Sequence, residues 1–506
     1  MAVSVSYPGV YVEEISSGVR TITGVSTART AFVGRALQGP VDEPTLIYSF
    51  ADYERTFGGL WSESTMSFAV KQYFENGGAE AVVVRVFKTA GSGETATITL
   101  TGAILNASSP GDWGHKLSVV IDHLTRNQMD TGLVNITVYL DGAEVEVLRN
   151  VVTADLEATL EQRSAYLRFT GTGPATIGNT PASVSPAPPG VQAANGSDGD
   201  PINSAVIIGA DNSTTGRTGM NALANTDIFN ILCLPPPEFG TDMVTADPTA
   251  YDQAAKFCAD HRAMLLVDPP VAATQPSNAV SPIQDTVSAA NKKNAAAFFP
   301  LLLAPNPLSG MIEEFVPCGA VAGVFARTDS QRGVWKAPAG TDAGLTAVSG
   351  LTYTLTDPEN GTLNKEAVNC LRTFANIGRV VWGSRTLDGF DANGSEWKYI
   401  PVRRLALYME ESLFRGLKWV VFEPNDAPLW AQIRLNVGAF MNNLFRQGAF
   451  QGASPKDAYF VRCDSSTTTQ NDINLGIVNI LVGFAPLKPA EFVILKIQQI
   501  AGQIQV

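Results

Sequence analysis

Residues 399–452 read YIPVRRLALYMEESLFRGLKWVVFEPNDAPLWAQIRLNVGAFMNNLFRQGAFQG, residues 458–470 read AYFVRCDSSTTTQ, and residues 482–496 read VGFAPLKPAEFVILK. The first block predicts a helix over 402–417, with Ala406, Met409, Leu413 and Leu417 on one face and Glu411 and Arg415 at i,i+4 spacing on the other. A second helix begins near Asn425-Asp426, with Pro428 in its first turn. Trp430, Ile433, Val437, Phe440 and Leu444 make its apolar stripe, and Gly448 marks its end. Both stripes read as core. Asp464 and the Ser465–Thr469 run read as a polar turn between strands. The closing run Phe492–Ile500 is strand-like, and an unpaired apolar strand at a terminus would invite aggregation, so a partner strand is expected.

Outward from this stretch the texture is α/β. Residues 29–40 predict a buried strand running into a Gly-Pro turn. Ser49–Phe57 and Ser64–Asn76 predict helices stopped by Gly58-Gly59 and Gly77-Gly78, and Ala79–Phe87 a buried strand. Between about 89 and 200 come short alternating strands with turn signals, an all-β texture; 171–201 is a Gly/Pro/Ala/Ser-rich loop. From about 202 the α/β texture returns. Strands are expected at Ala205–Ile208, Ile228–Leu232, Ala263–Val267, 292–303 and Arg379–Trp382, and helices at Tyr251–His261, Val316–Ala326 and Lys365–Ile377. The first twenty residues are an extended arm in which Val3, Val5 and Tyr7 alternate with serines before Val10 and Val12. The fold class is therefore α/β: an α/β core domain interrupted by an inserted all-β domain, plus an α+β C-terminal domain and extended N- and C-terminal arms. The boundaries are 1–20 for the N-terminal arm, 21–88 and 201–385 for the two parts of the core, 89–200 for the insert, 386–490 for the C-terminal domain and 491–506 for the C-terminal strand and arm.

Composition narrows the function classes. The chain has 506 residues, 45% hydrophobic and 16% charged, enough for large cores. A net charge of −13 argues against direct nucleic-acid binding. Residues 401–506 nevertheless carry ten Lys/Arg against eight Asp/Glu, so the C-terminal end is mildly basic on an acidic chain. The five cysteines are scattered and set in apolar surroundings, as buried free thiols would be. The N-terminus lacks the pattern of a signal peptide, and no segment is expected to insert into a membrane.

The residues present no catalytic, cofactor-binding or metal set. Gly209–Thr218 follows an apolar run but has the wrong spacing for a phosphate loop, with Arg217 where lysine belongs. Asp268 ends an apolar strand and is followed by two prolines, which reads as a cap or turn residue. His115, His123 and His261 have no metal-ligand spacing around them.

An ordered series of segments resembles the contractile tail sheath proteins of phages and injection particles. These are Tyr7-Pro8-Gly9-Val10-Tyr11-Val12-Glu13-Glu14, Thr30–Pro40, Gly111-Asp112-Trp113-Gly114, Ala322–Asp329 with Arg332–Pro338, Gly361–Asn369, Val380–Leu387 and the C-terminal stretch. The resemblance implies a structural, non-enzymatic subunit without cofactors. Such a subunit polymerises with itself as stacked hexameric rings around an inner tube protein, meets baseplate and terminator or cap proteins at the ends, and contracts to drive the tube through a target envelope. It is assembled in the bacterial cytoplasm as part of a tail or injection particle. It also implies that Val3, Val5, Tyr7, Val10, Val12, Phe492, Ile494, Ile497 and Ile500 form inter-subunit arm strands. The insert would face outward and the C-terminal domain the tube; Arg415 and Lys418 are the candidate tube-facing residues. A type VI secretion sheath component and an α/β hydrolase or nucleotide-binding enzyme are the alternatives.

Overall fold

The computed structural model describes residues 20–496, apart from 92, 175, 181–188, 213, 215 and 246. The arm residues Val3, Val5, Tyr7, Val10, Val12, Ile497 and Ile500 lie outside the described residues. The chain divides into two bodies. One comprises Ser26–Arg332 and Ala337–Arg403; the other comprises residues 20–25, 333–336 and 404–496. The fold is mixed α/β.

The first body opens with β1 (Thr30–Gly34), β2 (Thr45–Ile47), α1 (Phe50–Phe57), α2 (Thr65–Glu75) and β3 (Ala81–Arg85). Ser49 and Ser64 cap the two helices by accepting from the backbone N–H groups of Asp52 and Ser67. There follow β4 (Thr97–Leu100), β5 (Ala103–Ala107), β6 (Leu117–Asp122), β7 (Leu133–Leu140), β8 (Ala143–Val152), α3 (Leu156–Arg163), β9 (Leu167–Arg168) and β10 (Val191–Gln192). These strands form two antiparallel sheets, ordered β10-β6-β7-β8 and β4-β5-β9, around a core of their own. The helix α3 was not expected in this strand-rich segment. It forms because Leu156 and Leu160, one turn apart, both bury in that core.

The chain continues through α4 (Ser204–Ile208), β11 (Asp211–Asn212), β12 (Gly216–Arg217), β13 (Ile231–Cys233), α5 (Ala250–Asp260), β14 (Met264–Val267), α6 (Pro276–Gln284), β15 (Ala295–Phe299), β16 (Leu302–Pro305), β17 (Ile312–Phe315), α7 (Cys318–Arg332), β18 (Gly350–Leu351), α8 (Asp357–Lys365), β19 (Val368–Phe374) and β20 (Gly378–Val381). Three expectations fail here for local reasons. Ala205–Ile208 is helical, not a strand: the Asn203 side chain caps it, accepting from Val206 N–H, and this outweighs the β-branched residues. The helix expected at Lys365–Ile377 lies earlier, because the Thr356/Glu359 capping box starts it at Asp357. Ala367 then turns the chain through a left-handed φ of 59° into β19. The single strand expected over 292–303 is two, β15 and β16, parted at Pro300.

The main sheet runs β2-β3-β1-β13-β14-β15-β19-β20; its six inner strands are parallel, and the two edges antiparallel. Along each inner strand successive side chains enter different cores. Ala31, Val33, Leu265 and Val267 pack with α4, α5, α6 and α8, while Phe32, Met264, Leu266 and Phe298 pack with α1, α2 and α7. Covering both faces explains why these strands are mostly apolar rather than alternating.

On the second face α7 lies against α2 at backbone distance. A side chain at Gly319 would overlap the Ala69 carbonyl oxygen, and one at Gly323 would stand 2.5 Å from that of Tyr73. Arg327, one turn further, donates to the carbonyl oxygens of Asn76 (3.1 Å) and Gly344 (2.6 Å). The start of α7 is held by Asp268, just beyond β14, whose Oδ1 accepts from Cys318 N–H at 2.9 Å. The carboxylate thus answers one of the orphan donors of a helix fifty residues away. Its Oδ2 is buried and has no hydrogen-bond partner among the described residues. Burial pushes the Asp268 carboxyl up to about 7, against hydrogen bonds from Cys318 that act the other way.

Gly319→Val should cost on the order of 3 kcal/mol, read as a lower urea midpoint, since α7 must lift from α2; an unchanged midpoint would show the contact to be loose. Asp268 holds its proton in the fold up to about pH 7 and releases it near its usual 3.8 when unfolded. Stability should therefore fall as pH rises through that window and level off above it. Asp268→Asn does not titrate, so its urea midpoint relative to the parent should rise between pH 4 and pH 8, with a ceiling of roughly 4 kcal/mol. A constant difference across that range would mean that the carboxyl titrates normally.

Candidate assembly interface

The second body is built on two helices, α9 (Ile400–Gly416), whose first turn still belongs to the first body, and α10 (Ala427–Arg446). Asp426 caps α10, its side chain accepting from Leu429 N–H at 3.0 Å. Leu405 and Met409 of α9 meet Leu429, Ile433, Val437, Phe440 and Leu444 of α10 in one core. The stripe read on α10 is thus interior, while in that on α9 Ala406 and Met409 are buried and Leu413 and Leu417 half-buried. Then come α11 (Pro455–Ala458), β21 (Tyr459–Arg462), α12 (Gln470–Asn474) and β22 (Leu481–Phe484). Asp464, in the turn after β21, accepts from the Ser466 backbone N–H (2.8 Å) and hydroxyl (2.5 Å). Those two bonds, the hydroxyl first, hold its carboxyl below the usual range. Its acceptor atoms therefore serve the turn.

Residues 20–25 lie on this body, although the sequence boundaries assign 21–25 to the α/β core. Ile22 is buried in its core beside Gly416. Arg20 N–H donates to Asn436 Oδ1 at 3.1 Å, and its guanidinium sits 4.7 Å from the Trp419 ring centre. Val25 N–H donates to Ser412 Oγ at 3.3 Å.

The surface of this body is unusually apolar. Among the described residues nearly half of the exposed large apolar side chains fall within it, although it makes up about a quarter of the length. Phe492, Val493, Ile494 and Leu495 are 75–84% exposed in succession, and they carry no regular secondary structure. β21 and β22 pair antiparallel, Tyr459 opposite Phe484 and Arg462 opposite Leu481, and no third strand joins them among the described residues. A two-stranded ribbon is marginal alone. The α9–α10 loop adds Val421 and Phe422, the latter fully exposed at a left-handed φ of 70°.

The two candidate cations differ in setting. Arg415 pairs with Glu411, Nε to Oε1 2.6 Å, so its charge is met within α9. Lys418 is exposed, with its ammonium 5.7 Å from the Phe414 ring centre. Elsewhere, Arg217 meets Asp211 across the β11–β12 hairpin at 2.9 Å, which accounts for the arginine in the loop that superficially suggests phosphate binding. His115, His123 and His261 each make a local contact, with Asp112, Asn179 and the Phe257 carbonyl. Among the described residues no His/Cys/Asp/Glu group could hold a metal ion, and no helix is long and apolar enough to cross a membrane. All five cysteines are free and buried.

Sequence reasoning missed the interior arginines. Arg85 is buried and donates to the carbonyls of Ala36, Gly39 and Pro110 at 2.7–3.0 Å, tying the exit of β1 to the segment entering the β-rich region. Arg385 is buried and donates to Asn364 O (2.7 Å) and Asp391 Oδ1 (2.9 Å), while its own N–H donates to Asn369 Oδ1. Arg327 and Arg385 stand in AGVFARTD and VVWGSRTL, so the most recognisable motifs are internal staples. An arginine inside an apolar run was the available signal.

Residues 392–500 match the family model for the phage tail sheath C-terminal domain. The tail sheath protein of Salmonella phage ViI is 28% identical over 173 residues, 34% of this chain and 26% of the relative. That of Enterobacteria phage T4 is 27% identical over 166 residues, 32% of this chain and 24% of the relative. The chain thus spans about a quarter of the length of these curated relatives. Among solved structures, the contracted sheath complex of an extracellular contractile injection system, PVC, superposes with a TM-score of 0.60 at 23% identity over 98% of this chain and 99% of that one. The sheath tail protein of Listeria innocua superposes with a TM-score of 0.62 at 16% identity over 92% and 96%. At these identities the structures share a fold. Residues 392–500 thus match a phage tail sheath C-terminal domain, and over nine-tenths or more of its length the chain shares the fold of solved sheath proteins.

Proposed function

We propose that this chain is the structural subunit of a contractile sheath. Copies polymerise as stacked hexameric rings around an inner tube, between a baseplate and a terminator, and contract to drive the tube through a target envelope. The observation that supports the reading is the surface of the C-terminal body, where no third strand joins the β21–β22 ribbon among the described residues and Phe492–Leu495 lie exposed. Strand addition answers both needs: main-chain hydrogen bonds complete the ribbon, and alternate side chains enter apolar pockets. The strands come from neighbours: the N-terminal arm, with Val3, Val5, Tyr7, Val10 and Val12, and the C-terminal arm, with Phe492, Ile494, Ile497 and Ile500. Sixteen extended residues reach about 50 Å, enough to cross to an adjacent subunit. Contacts of this heterologous kind build helical arrays.

In the same reading the β-rich segment 89–200 is an inserted domain on the outside of the sheath and the C-terminal body faces the tube. Assembly takes place in the bacterial cytoplasm, and the product is a tail or injection particle. The role is mechanical; the folded α/β body supplies a rigid block that occupies two lattices with different interface burial.

Deleting residues 1–18 or 492–506 should leave folded protein, by circular dichroism, that forms no long tubes in electron micrographs; normal tubes from either truncation would remove the arm model. Lys418 is the better probe of the tube-facing surface, because reversing Arg415 would also place two acids at i,i+4 in α9. Lys418→Glu should weaken sheath growth on purified tubes by roughly fivefold, more at low salt than at high, with thermal stability unchanged. Equal growth at low salt would exclude Lys418 from that contact.

A further inference from the structure

Residues 20–25 carry no regular secondary structure, yet they are fastened to the C-terminal body almost residue by residue. Arg20 N–H donates to Asn436 Oδ1 of α10 at 3.1 Å, and its guanidinium lies over the Trp419 ring, just beyond α9. Ile22 is 6% exposed, and Gly416 admits it: a side chain on Gly416 would stand 2.6 Å from Ile22 Cγ2. Gly24 passes so close to Tyr408 that a side chain on it would overlap the tyrosine hydroxyl. Val25 N–H donates to Ser412 Oγ at 3.3 Å. Thr21 and Thr23 are exposed.

Tyr408, Ser412 and Gly416 stand four residues apart on α9, so they form one stripe along it. Val25 meets Ser412, Ile22 meets Gly416 and Arg20 meets Trp419, so the segment runs antiparallel along that stripe. A segment without a partner strand must still find acceptors for its N–H groups, and helix backbones have none to spare. Two fully buried side chains, Asn436 and Ser412, supply them. The core of α9 and α10 closes through Leu405, Met409, Ile433 and Val437, and of residues 20–25 only Ile22 joins it. The rest of the seat serves the segment itself.

We propose that Tyr408, Ser412, Trp419 and Asn436 are positioning residues for the N-terminal arm: they clip residues 20–25 along α9, so that a pull on the arm is taken by α9 and α10 before it reaches β1. The role of the arm rests on the sheath reading; the clip does not. The test is limited trypsin digestion of the full chain, followed by intact mass. Cleavage after Arg20 requires residues 21–24 to enter the protease, so that bond is cut only when the clip opens. Gly24→Ala should be cut there about tenfold faster than the parent, as expected for the loss of one or two modest contacts. Tyr408→Phe should be cut at the parent's rate. The two changes together should return to within about threefold of the parent, because without the hydroxyl the nearest tyrosine ring atom stands 3.0 Å from the new methyl group. The melting temperature of all three variants should match the parent's. In electron micrographs Gly24→Ala should form no long tubes, and the double variant should regain them. Equal cleavage of Gly24→Ala and the parent, or no rescue by Tyr408→Phe, would overturn the clip. Faster cleavage with tubes as long as the parent's would overturn its role in the arm. A parent that forms no tubes removes the sheath reading, while the cleavage rates still decide the clip.

Discussion

The close approach of α7 to α2 organises the α/β body. Gly319 and Gly323 let two backbones meet where side chains would hold them apart, and Asp268 fixes the start of α7 from just beyond β14. With α7 seated, the second face of the sheet is closed and β17 is carried to its place beside α2. Arg327 then joins the end of α2 to the loop at Gly344. A small change at any of these points moves a whole layer, because packed interiors do not deform gradually. The arrangement carries one uncomfortable group, the half-satisfied Asp268 carboxyl, which is tolerated because it stays protonated below about pH 7.

The two bodies meet opposite physical demands. The α/β body buries every inner strand on both faces and spends its interior arginines on carbonyl oxygens. The C-terminal body has a sound two-helix core, but among the described residues its ribbon has no third strand and a run of apolar residues is exposed. An isolated protein built so would be an aggregation hazard; a subunit whose neighbours supply the missing strands turns the same surface into a lattice contact. The difference in finish between the bodies is the physical basis for reading the chain as a component of an assembly.

Much of this was legible in the residues. The stripes on α9 and α10, the Asp426 cap with Pro428 behind it, and the glycine stops after α1 and α2 follow from 3.6-residue periodicity and capping chemistry, which are local. Less legible were the places where two local signals competed. The β-branched run at 205–208 looked like a strand until the Asn203 cap decided for helix, and 365–377 looked helical although Val368, Cys370 and Leu371 serve a sheet. The strand-rich segment 89–200 hid α3 for the same reason: two leucines one turn apart are weak evidence among so many strands.

By itself the sequence determined the class of the fold, the two C-terminal helices, the buried thiols and the resemblance to sheath proteins, since each rests on spacing or residue type within a short window. Only the tertiary structure decided that Asp268 caps a helix fifty residues away and that residues 20–25 lie on the C-terminal body. It also matched the charge of Arg415 with Glu411. These are pairings between distant or rotamer-dependent groups. No periodicity encodes them, because which buried donor meets which acceptor is settled only when the layers close.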